Sequence, residues 1–261
     1  MKVGLIGYGQ IGRSVAASIA AGEVDGIELS TVLVRDATRT REPVDSVRTT
    51  TNPAELLDSD ARVIVEVAGH PALRQFAVRV LDAGKDLMTI CPGAFADTDL
   101  LTAVERAARQ NGRRVLVPSG AIGGLDMISA AALGPLDSVM HTTRKHPRAF
   151  RADQLADPPT DEARLLFDGS AREGVTRFPD NVNVAAAVSM AGIGLDRTRL
   201  RIFADPAACR NTHQLEVHGY FGSLRLEVEN EPTEKHNTGR VVALSVTKAL
   251  RNLCAPIVIG L

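Results

Sequence analysis

The chain has 261 residues, a formal net charge of −1 and a hydrophobic content of 44%. This length allows one large domain or two modest ones, each with a buried core. The near-neutral charge provides no field that would attract nucleic acid or anionic membranes. No apolar run approaches the roughly 20 residues that span a bilayer, so we expect a globular protein that binds neither nucleic acid nor a membrane.

The positions of the cysteines and histidines argue against disulfide-linked and metal-binding classes of protein. Cys91, Cys209 and Cys254 are widely spread and odd in number, without a CxxC spacing, which argues against a disulfide framework and a structural zinc site. The six histidines form no HxxxH or HExxH motif, so we expect no metal. The cysteine pattern favours a reducing cytoplasm. The N-terminal "MKVGLIGYGQIG" is too short and too glycine-rich for a signal peptide and is expected to begin with a strand.

The first half of the chain alternates strands and helices. Helical spacing and glycine stops predict helices at "QIGRSVAASIAAG", "PALRQFAVRVLDAG" and "DTDLLTAVERAARQNG". Nearly continuous apolar runs predict strands at "KVGLIG", "IELSTVLVR", "RVIVEVAG", "KDLMTI" and "RRVLVPSG". This rhythm predicts a doubly wound α/β domain of the Rossmann type, with a parallel sheet, over residues 1–120.

The pattern changes after Gly120. "LDMISAAAL" and "TDEARLLFDGSAREGVTRF" are expected to be helical. The segments "SVMHTTRKH", "RLRIFAD", "THQLEVHGY" and "SLRLEVEN" alternate better and predict a mixed or antiparallel sheet, with a hairpin around Gly222. We therefore predict a second α/β domain over 121–232, followed by a helical segment, 233–261, that returns to the first domain.

A glycine-rich turn follows the first predicted strand. Gly7, Gly9 and Gly12 have the GxGxxG spacing, which serves a tight turn, backbone approach to a pyrophosphate and close helix–strand packing. Such spacing also occurs in purely structural turns, but its position between a strand and a helix favours a dinucleotide site. At the end of the second strand, Asp36 suits the ribose hydroxyl of NAD and Arg35 the 2′-phosphate of NADP, so either cofactor is compatible. The alternative is that both are simply loop residues beyond the strand, which is an equally good explanation for Asp36.

Other residues are expected at the carboxyl ends of the parallel strands, where ligands bind in such sheets. Ala121, within "VPSGAIGG", suits a wall of the nicotinamide pocket. His70 either lines the cofactor crevice or serves the entry to the helix before Pro71. Cys91 is interpreted as a small packing residue, because no base is assigned beside it.

The stretch "RNTHQLEVHGYF" contains two histidines on one predicted strand. Side chains alternate along a strand, so His213 shares a face with Leu215 and Val217, whereas His218 shares the polar face with Glu216. An inward histidine is more often a core residue than a catalyst. The strand pattern alone therefore makes His213 buried and His218 exposed, without assigning chemistry to either.

Several segments together resemble the L-aspartate dehydrogenase family, over nearly the whole chain. They are "GLIGYGQIG", "SGAIGGLD", "TTRKHP", "GSAREGVTRFPDNVNVAAA", "AGIGLDRT", "ADP", "RNTHQLEVHGYFG" and "NTGRVVALSV". The resemblance implies oxidation of L-aspartate to iminoaspartate with NAD or NADP, and hydrolysis of the imine to oxaloacetate and ammonia. It also implies a role in pyridine nucleotide biosynthesis, and a homodimer in which 121–232 is the catalytic and dimerisation domain.

The resemblance also implies roles for individual residues. The family's active-site histidine matches His213, which makes it the general acid/base, while His218 stays at the surface. The family's cofactor-contacting alanine and asparagine match Ala121 and Asn183. The full expected cofactor set is Gly7, Gly9, Gln10, Ile11, Gly12, Arg35, Asp36, Ala68, His70, Ala121 and Asn183.

A dicarboxylate substrate requires cationic or hydrogen-bonding partners. The expected substrate-binding residues are Arg144, Lys145, Thr238 and Arg240. Each basic residue is equally well explained as a solvated surface charge, and Thr238 as a cap of the last helix. Two segments, "TTRKHPRAF" and "KHN", depart from the family's usual loops. They leave open a dehydrogenase or imine reductase of the same fold that acts on another small amino or keto acid. A non-catalytic dinucleotide-binding sensor is a further alternative, because fold alone does not fix function.

Overall fold

The protein is described as a computed structural model that covers residues 1–39, 47–155, 161–179, 182–233 and 236–260. The side chains of residues 39 and 232–238 are outside this description. The helices are α1 (Gln10–Ala20), α2 (Pro53–Leu57), α3 (His70–Asp82), α4 (Thr98–Asn111), α5 (Leu125–Ala131), α6 (Ala171–Arg177), α7 (Asn183–Ala191) and α8 (Val241–Asn252). Short 3-10 helices span Ala37–Arg39, Pro92–Ala96, Pro147–Ala149 and Ala152–Gln154.

The strands form three sheets. They are β1 (Lys2–Ile6), β2 (Glu28–Leu33), β3 (Arg48–Thr50), β4 (Val63–Glu66), β5 (Asp86–Thr89), β6 (Val115–Leu116), β7 (Leu136–Lys145), β8 (Arg164–Ser170), β9 (Arg199–Ala204), β10 (Asn211–Gly219), β11 (Gly222–Asn230), β12 (Pro232–Thr233) and β13 (His236–Gly239). Within the described ranges, the last two pair with each other in a two-stranded sheet.

The chain divides into two compact units, 1–120 with 243–261 and 121–242. The first unit contains a parallel sheet of order β3-β2-β1-β4-β5-β6. This order is that of a doubly wound dinucleotide-binding sheet, as the sequence predicts. The short strand β3 and helix α2 were not expected from the sequence.

Both faces of the parallel sheet are covered by apolar clusters. One cluster combines Leu73 and Val80 of α3 with Val104 of α4. The other combines Val15 of α1 with Val246 of α8. Burial on both faces explains why the strands read as continuous Val, Ile and Leu.

The second unit contains a mixed sheet of order β11-β10-β7-β9-β8. Strands β7 and β9 are parallel and the other neighbours are antiparallel. The expected hairpin is present, because Gly219 pairs with Gly222 and Gly222 has a φ of 114° that favours glycine. Helices α5 and α7 contribute Ile128 and Val188 to an apolar cluster on one sheet face.

One secondary-structure prediction is wrong. The segment "TDEARLLFDGSAREGVTRF" is not a continuous helix, since its first half is β8, paired antiparallel with β9. The change to helix is made by a capping box, in which Ser170 Oγ accepts from the Glu173 amide and the Glu173 carboxylate accepts from the Ser170 amide. The second unit also extends to Val242, beyond the expected boundary at 232, and Gly239 packs closely against Asn230.

Candidate functional site

The glycine turn between β1 and α1 has the geometry that its spacing predicts. Gly7 has a φ of 99°, and a Cβ added there would lie 2.7 Å from the Cβ of Ala68. A Cβ on Gly12 would lie 2.3 Å from the carbonyl oxygen of Gly7, so helix and strand touch through this glycine. A Cβ on Gly9 would meet nothing within 4 Å. The turn is thus tightly packed on its inner side and open at Gly9, where a phosphate could approach.

A pocket of about 580 Å³ lies beside this turn, within the first unit. It is formed at the carboxyl ends of β1, β2 and β4, the edge where such sheets bind nucleotides. It is lined by Ile6, Gly7, Tyr8, Gly9, Leu33, Val34, Arg35, Asp36, Thr51, Pro53, Val67, Ala68, Pro71, Ala72, Gln75 and Phe76.

Arg35 and Asp36 both reach this pocket, from the end of β2. The Asp36 carboxylate accepts hydrogen bonds from the amide and the hydroxyl of Thr38, at 3.0 and 2.6 Å. The carboxylate is therefore held in place beside the pocket by its own loop. A guanidinium and a carboxylate therefore both line this part of the pocket, and the mixed charge pattern in the sequence is also present in the structure.

The remaining cofactor candidates occupy different positions. Gln10 and Ile11 begin α1, behind the turn, and His70 is the first residue of α3, the helix-entry position. Ala121 and Asn183 belong to the second unit, where the Ala121 carbonyl accepts from the Asn230 side chain at 2.9 Å. Asn183 is the first residue of α7.

A buried carboxylate lies under the pocket edge. Glu66, at the end of β4, is fully buried, and one of its oxygens accepts from the amides of Ala68 and Gly69 at 2.6 and 2.8 Å. Its other oxygen accepts from the Thr89 hydroxyl at 2.7 Å, and Thr89 accepts from the Cys91 amide at 3.0 Å. We call Glu66, Thr89 and Cys91 the glutamate cluster.

Burial sets the protonation behaviour of the glutamate cluster. It raises the pKa of Glu66, against the hydrogen bonds that lower it. Burial, and then the neighbouring Glu66 charge, also raises the pKa of the Cys91 thiol. A thiol with a raised pKa is a poor nucleophile, which agrees with Cys91 as a packing residue.

The second unit carries its polar groups on the inner face of the mixed sheet. His213 lies opposite Thr143 of β7 and Val228 of β11, and only 3% of it is exposed. His141 and Lys145 share its face, because they are two residues before and after Thr143. We call His141, Thr143, Lys145 and His213 the histidine cluster, and all four residues are buried. His218 points to the opposite face, as the alternation predicts.

The two histidines of this cluster are in direct contact. Nε2 of His141 lies 3.1 Å from Nδ1 of His213, and the two ring planes differ by 20°. Burial, followed by the charge of Lys145, lowers the pKa of His141 to about 3. Burial, followed by the charges of His141 and Lys145, also lowers the pKa of His213 well below its usual range. Both rings are therefore neutral at pH 7.

Two polar atoms of the histidine cluster are unsatisfied. Nδ1 of His141 and Oγ1 of Thr143 are buried and have no hydrogen-bond partner in the part of the chain that the structure describes. Burial also lowers the pKa of the Lys145 ammonium to about 8. Buried polar groups normally have partners, so unsatisfied groups beside a buried cation are typical of a site for a polar ligand.

Of the other expected substrate residues, Arg144 does not reach this face. Arg144 alternates with Lys145 and points to the opposite face, where it pairs with Asp205 at 3.2 Å and lies over the Phe203 ring. Arg240 is exposed in the turn after β13. The backbone of Thr238 belongs to β13, but its side chain is outside the described residues. Of the basic candidates, only Lys145 joins His213.

His141, Thr143 and Glu66 were not identified from the sequence. The alternation of "SVMHTTRK" could have found the first two, because it aligns His141, Thr143 and Lys145 on one face. No local sequence pattern predicts the cross-strand contact between His141 and His213. A glutamate at the end of the otherwise apolar "RVIVEVAG" was the available signal for Glu66.

The described residues contain no group of three or more His, Cys, Asp or Glu side chains that could hold a metal ion. No helix within the described ranges has the length and apolar character needed to cross a membrane.

Comparisons with known proteins agree with both halves of this picture. Residues 7–118 match the family model for the homoserine dehydrogenase NAD-binding domain, and residues 126–253 match that for the C-terminal part of aspartate dehydrogenase. The chain is 40% identical to L-aspartate dehydrogenase 3 of Bordetella bronchiseptica, over 100% of this chain and 97% of that protein. It is 38% identical to L-aspartate dehydrogenase of Brucella anthropi, over 98% of this chain and 97% of that protein.

A solved structure extends the likeness to the fold. Aspartate dehydrogenase from Thermotoga maritima superimposes with a TM-score of 0.77 at 25% sequence identity, covering 100% of this chain and 99% of the other.

Proposed function

The chain belongs to the L-aspartate dehydrogenase family, and on this premise we propose that it oxidises L-aspartate to iminoaspartate with NAD or NADP. Hydrolysis of the imine then gives oxaloacetate and ammonia. The observation that carries the proposal is the burial of His213 on one sheet face with Lys145 and the unsatisfied Thr143 hydroxyl. A proton-transfer group, a cation and a hydroxyl match the needs of an amino dicarboxylate.

The first unit supplies a cradle that fits a dinucleotide. The open backbone at Gly9 supports pyrophosphate binding, and Arg35 and Asp36 reach the same pocket for the ribose end. When bound, NAD or NADP accepts the hydride from the substrate α-carbon. We assign Asn183 to the nicotinamide carboxamide, because an amide both donates and accepts, and Ala121 to the wall of the nicotinamide pocket.

His213 acts as the general acid/base. Its pKa is depressed by burial and by the charges of His141 and Lys145, so by itself it is a weak base. Two substrate carboxylates placed nearby would oppose these charges and raise its pKa. Substrate binding would then prepare His213 to take a proton from the amine or from the attacking water. Reductive amination uses the same group in the opposite direction.

The carboxylates of the substrate require partners of their own. Lys145 is the leading candidate, because a buried ammonium gains most from an anion placed beside it. The Thr143 hydroxyl would donate to a carboxylate oxygen. Arg240 and Thr238 are retained as candidates for the second carboxylate. Arg144 is not, since its guanidinium is paired with Asp205 on the other face.

Further features of the proposal rest on the family resemblance. They are a homodimeric assembly, a cytoplasmic location, and a supply of the imine to pyridine nucleotide biosynthesis. The three free cysteines agree with a reducing compartment.

The proposal is tested by following NAD(P)H absorbance at alkaline pH with L-aspartate and a panel of other amino acids, with each cofactor. We expect turnover of L-aspartate, and a loss of roughly a hundredfold or more in kcat for His213→Ala, with cofactor binding retained. The matched control is His218→Ala, five residues along the same strand on the opposite face, which should keep wild-type kinetics.

Each other outcome points elsewhere. Turnover of a different amino acid would change the assigned substrate but would retain the proposed reaction class. Cofactor binding without turnover of any amino acid, or of oxaloacetate with ammonia, would contradict the proposal and favour a sensor. Equal losses in the two histidine variants would remove the special role of His213.

A further inference from the structure

The contact between His141 and His213 joins two residues that are 72 positions apart on neighbouring strands. Their nitrogens are 3.1 Å apart and their ring centroids are 5.3 Å apart. His141 is fully buried and His213 nearly so. This contact occupies Nδ1 of His213, so Nε2 is the ring nitrogen of His213 that can face a substrate.

The surroundings of the pair limit its protonation. The groups on the same face are Lys145 from β7, Leu200 and Ile202 from β9, and Val228 from β11. Lys145 is the one titratable neighbour among these, and it opposes a positive charge on either ring. The pair is therefore neutral in the resting protein, and the short N···N contact holds a single proton.

The direction of that hydrogen bond determines what His213 can do. If His141 donated, Nε2 of His213 would carry a hydrogen and could not accept a proton at neutral pH. If His213 donates, Nε2 has a free electron pair and serves as a base. When His213 is protonated the direction is fixed, because both of its nitrogens then bear hydrogens and His141 must accept.

We propose that His141 is a positioning residue, whose Nε2 accepts the Nδ1–H of His213 and directs Nε2 of His213 to the substrate. This inference rests on the proposed base role of His213. It assigns the hydrogen of neutral His141 to Nδ1, the atom that has no partner among the described residues. Nδ1 of His141 lacks a partner among the described residues whichever way the hydrogen bond runs, so the direction is inferred from the free electron pair that a base requires on Nε2 of His213.

The tautomer is measured directly by ¹⁵N NMR of histidine-labelled protein without substrate. The six histidines give few signals, and the His213→Ala variant assigns those of His213. We expect a protonated Nδ1 and an unprotonated Nε2. The hydrogen bond made by one ring nitrogen sets which nitrogen is protonated, so in His141→Met, where the acceptor is lost, we expect His213 to change to the Nε2–H form.

Kinetics of a matched pair of variants supply the second readout. Gln and Met have similar size, but only the Gln carbonyl oxygen can accept from His213. We expect His141→Met to lower kcat for L-aspartate roughly ten- to a hundredfold, as for other residues that orient a reacting histidine, with a smaller change in KM. His141→Gln should recover most of that loss. Urea midpoints show whether both variants remain folded.

The outcomes separate this inference from the proposed function. An Nε2–H tautomer in the wild-type protein overturns the inference, whatever the turnover. So does a His141→Met variant with the wild-type tautomer and kcat. Absence of L-aspartate turnover in the wild-type protein counts against the proposed function, whereas an Nδ1–H tautomer that depends on His141 would still support the pairing.

Discussion

The glutamate cluster and the histidine cluster are both buried polar groups within apolar surroundings, yet they are satisfied to different degrees. In the glutamate cluster, Glu66 accepts three hydrogen bonds and Thr89 both donates and accepts. In the histidine cluster, one atom each of His141 and Thr143 has no partner among the described residues. From this difference we infer that the first cluster completes the fold, and we propose that a ligand completes the second.

Among substitutions that leave both histidines in place, replacement of Lys145 by Met is expected to have the largest effect on activity. Loss of one partner of a buried charge pair costs about 2–5 kcal/mol, so kcat/KM for L-aspartate should fall at least about thirtyfold. The same change should stabilise the protein at pH 7 by up to about 3 kcal/mol, because burial lowers the pKa of Lys145 to about 8 and each tenfold change in proton affinity is worth about 1.4 kcal/mol. Kinetics and urea denaturation measure the two effects.

The stability gain should depend on pH in a defined direction. Between about pH 8 and the unfolded pKa of about 10.4, the unfolded wild-type chain binds more protons at Lys145 than the native one, so wild-type stability rises with pH and the advantage of Met shrinks. Lys85→Met is the control for a second buried lysine, because it removes an ammonium that donates to the carbonyls of Ser59 and Ala61. It should lose stability. If both variants lose stability equally, Lys145 is structural.

Glu66 provides the corresponding test of the closed cluster. Glu66→Ala leaves the amides of Ala68 and Gly69 without their acceptor, at roughly 1–3 kcal/mol for each, and loosens the segment that lines the pocket. We expect a lower free energy of unfolding and a raised KM for the cofactor. The KM for L-aspartate should change less, and the reverse ranking of the two KM changes would contradict the assignment.

Glu66→Gln keeps the size of the side chain but removes its ability to ionise, so it tests the contribution of the charge alone. Burial raises the pKa of Glu66, so as pH rises from the unfolded value of about 4.3 through the native pKa, the native state holds more protons than the unfolded one. Wild-type stability contributed by this group is therefore lost with rising pH. The Gln side chain does not titrate, and its stability relative to the wild type should increase over the same window. Urea denaturation between pH 4 and 8 shows whether it does.

Two threonines give a smaller and opposite pair of effects. Thr89→Val removes hydrogen bonds to Glu66 and the Cys91 amide and should cost about 1–3 kcal/mol of stability, with little change in KM for L-aspartate. Thr143→Val removes an unsatisfied hydroxyl. It should leave stability equal or slightly higher while kcat/KM falls about two- to tenfold, the value of one neutral hydrogen bond. A large stability loss in Thr143→Val would show that the hydroxyl is already satisfied in the protein without substrate.

The first unit was the more predictable from sequence, for a physical reason. Its sheet is parallel and buried on both faces, so each strand is a continuous apolar run, and its pocket begins at a glycine turn between adjacent elements. Local spacing therefore predicts both the fold and the position of Gly7, Gly9, Arg35 and Asp36. The short elements β3 and α2 were not predicted, because three to five residues are too few to show a clear periodicity.

The second unit depends on register, which local patterns do not specify. Alternation correctly turned His213 inward and His218 outward, but the contact with His141 depends on how β7 is paired with β10. The sequence likewise did not show which of Arg144 and Lys145 lies beside His213. The two residues are adjacent in sequence but point to opposite faces of the sheet. The prediction of one continuous helix across β8 and α6 also failed. No proline separates the strand from the helix in this run, and the helix begins only after the capping box at Ser170.

The smallest effect is expected for Arg144, whose comparison with Lys145 tests the register itself. Arg144 pairs with Asp205 and lies over Phe203 on the face away from His213. The pair is partly exposed, so Arg144→Gln should cost at most about 1 kcal/mol of stability and change kcat/KM for L-aspartate by less than about twofold. Steady-state kinetics of Arg144→Gln and Lys145→Met, measured side by side, show which of the two basic residues contributes to binding of L-aspartate. If Arg144→Gln raised the KM for L-aspartate as much as Lys145→Met does, the substrate would contact the opposite face and the histidine cluster would be a core feature. If only Lys145→Met does so, the alternation of two adjacent basic residues is sufficient to assign one to the ligand and the other to the fold.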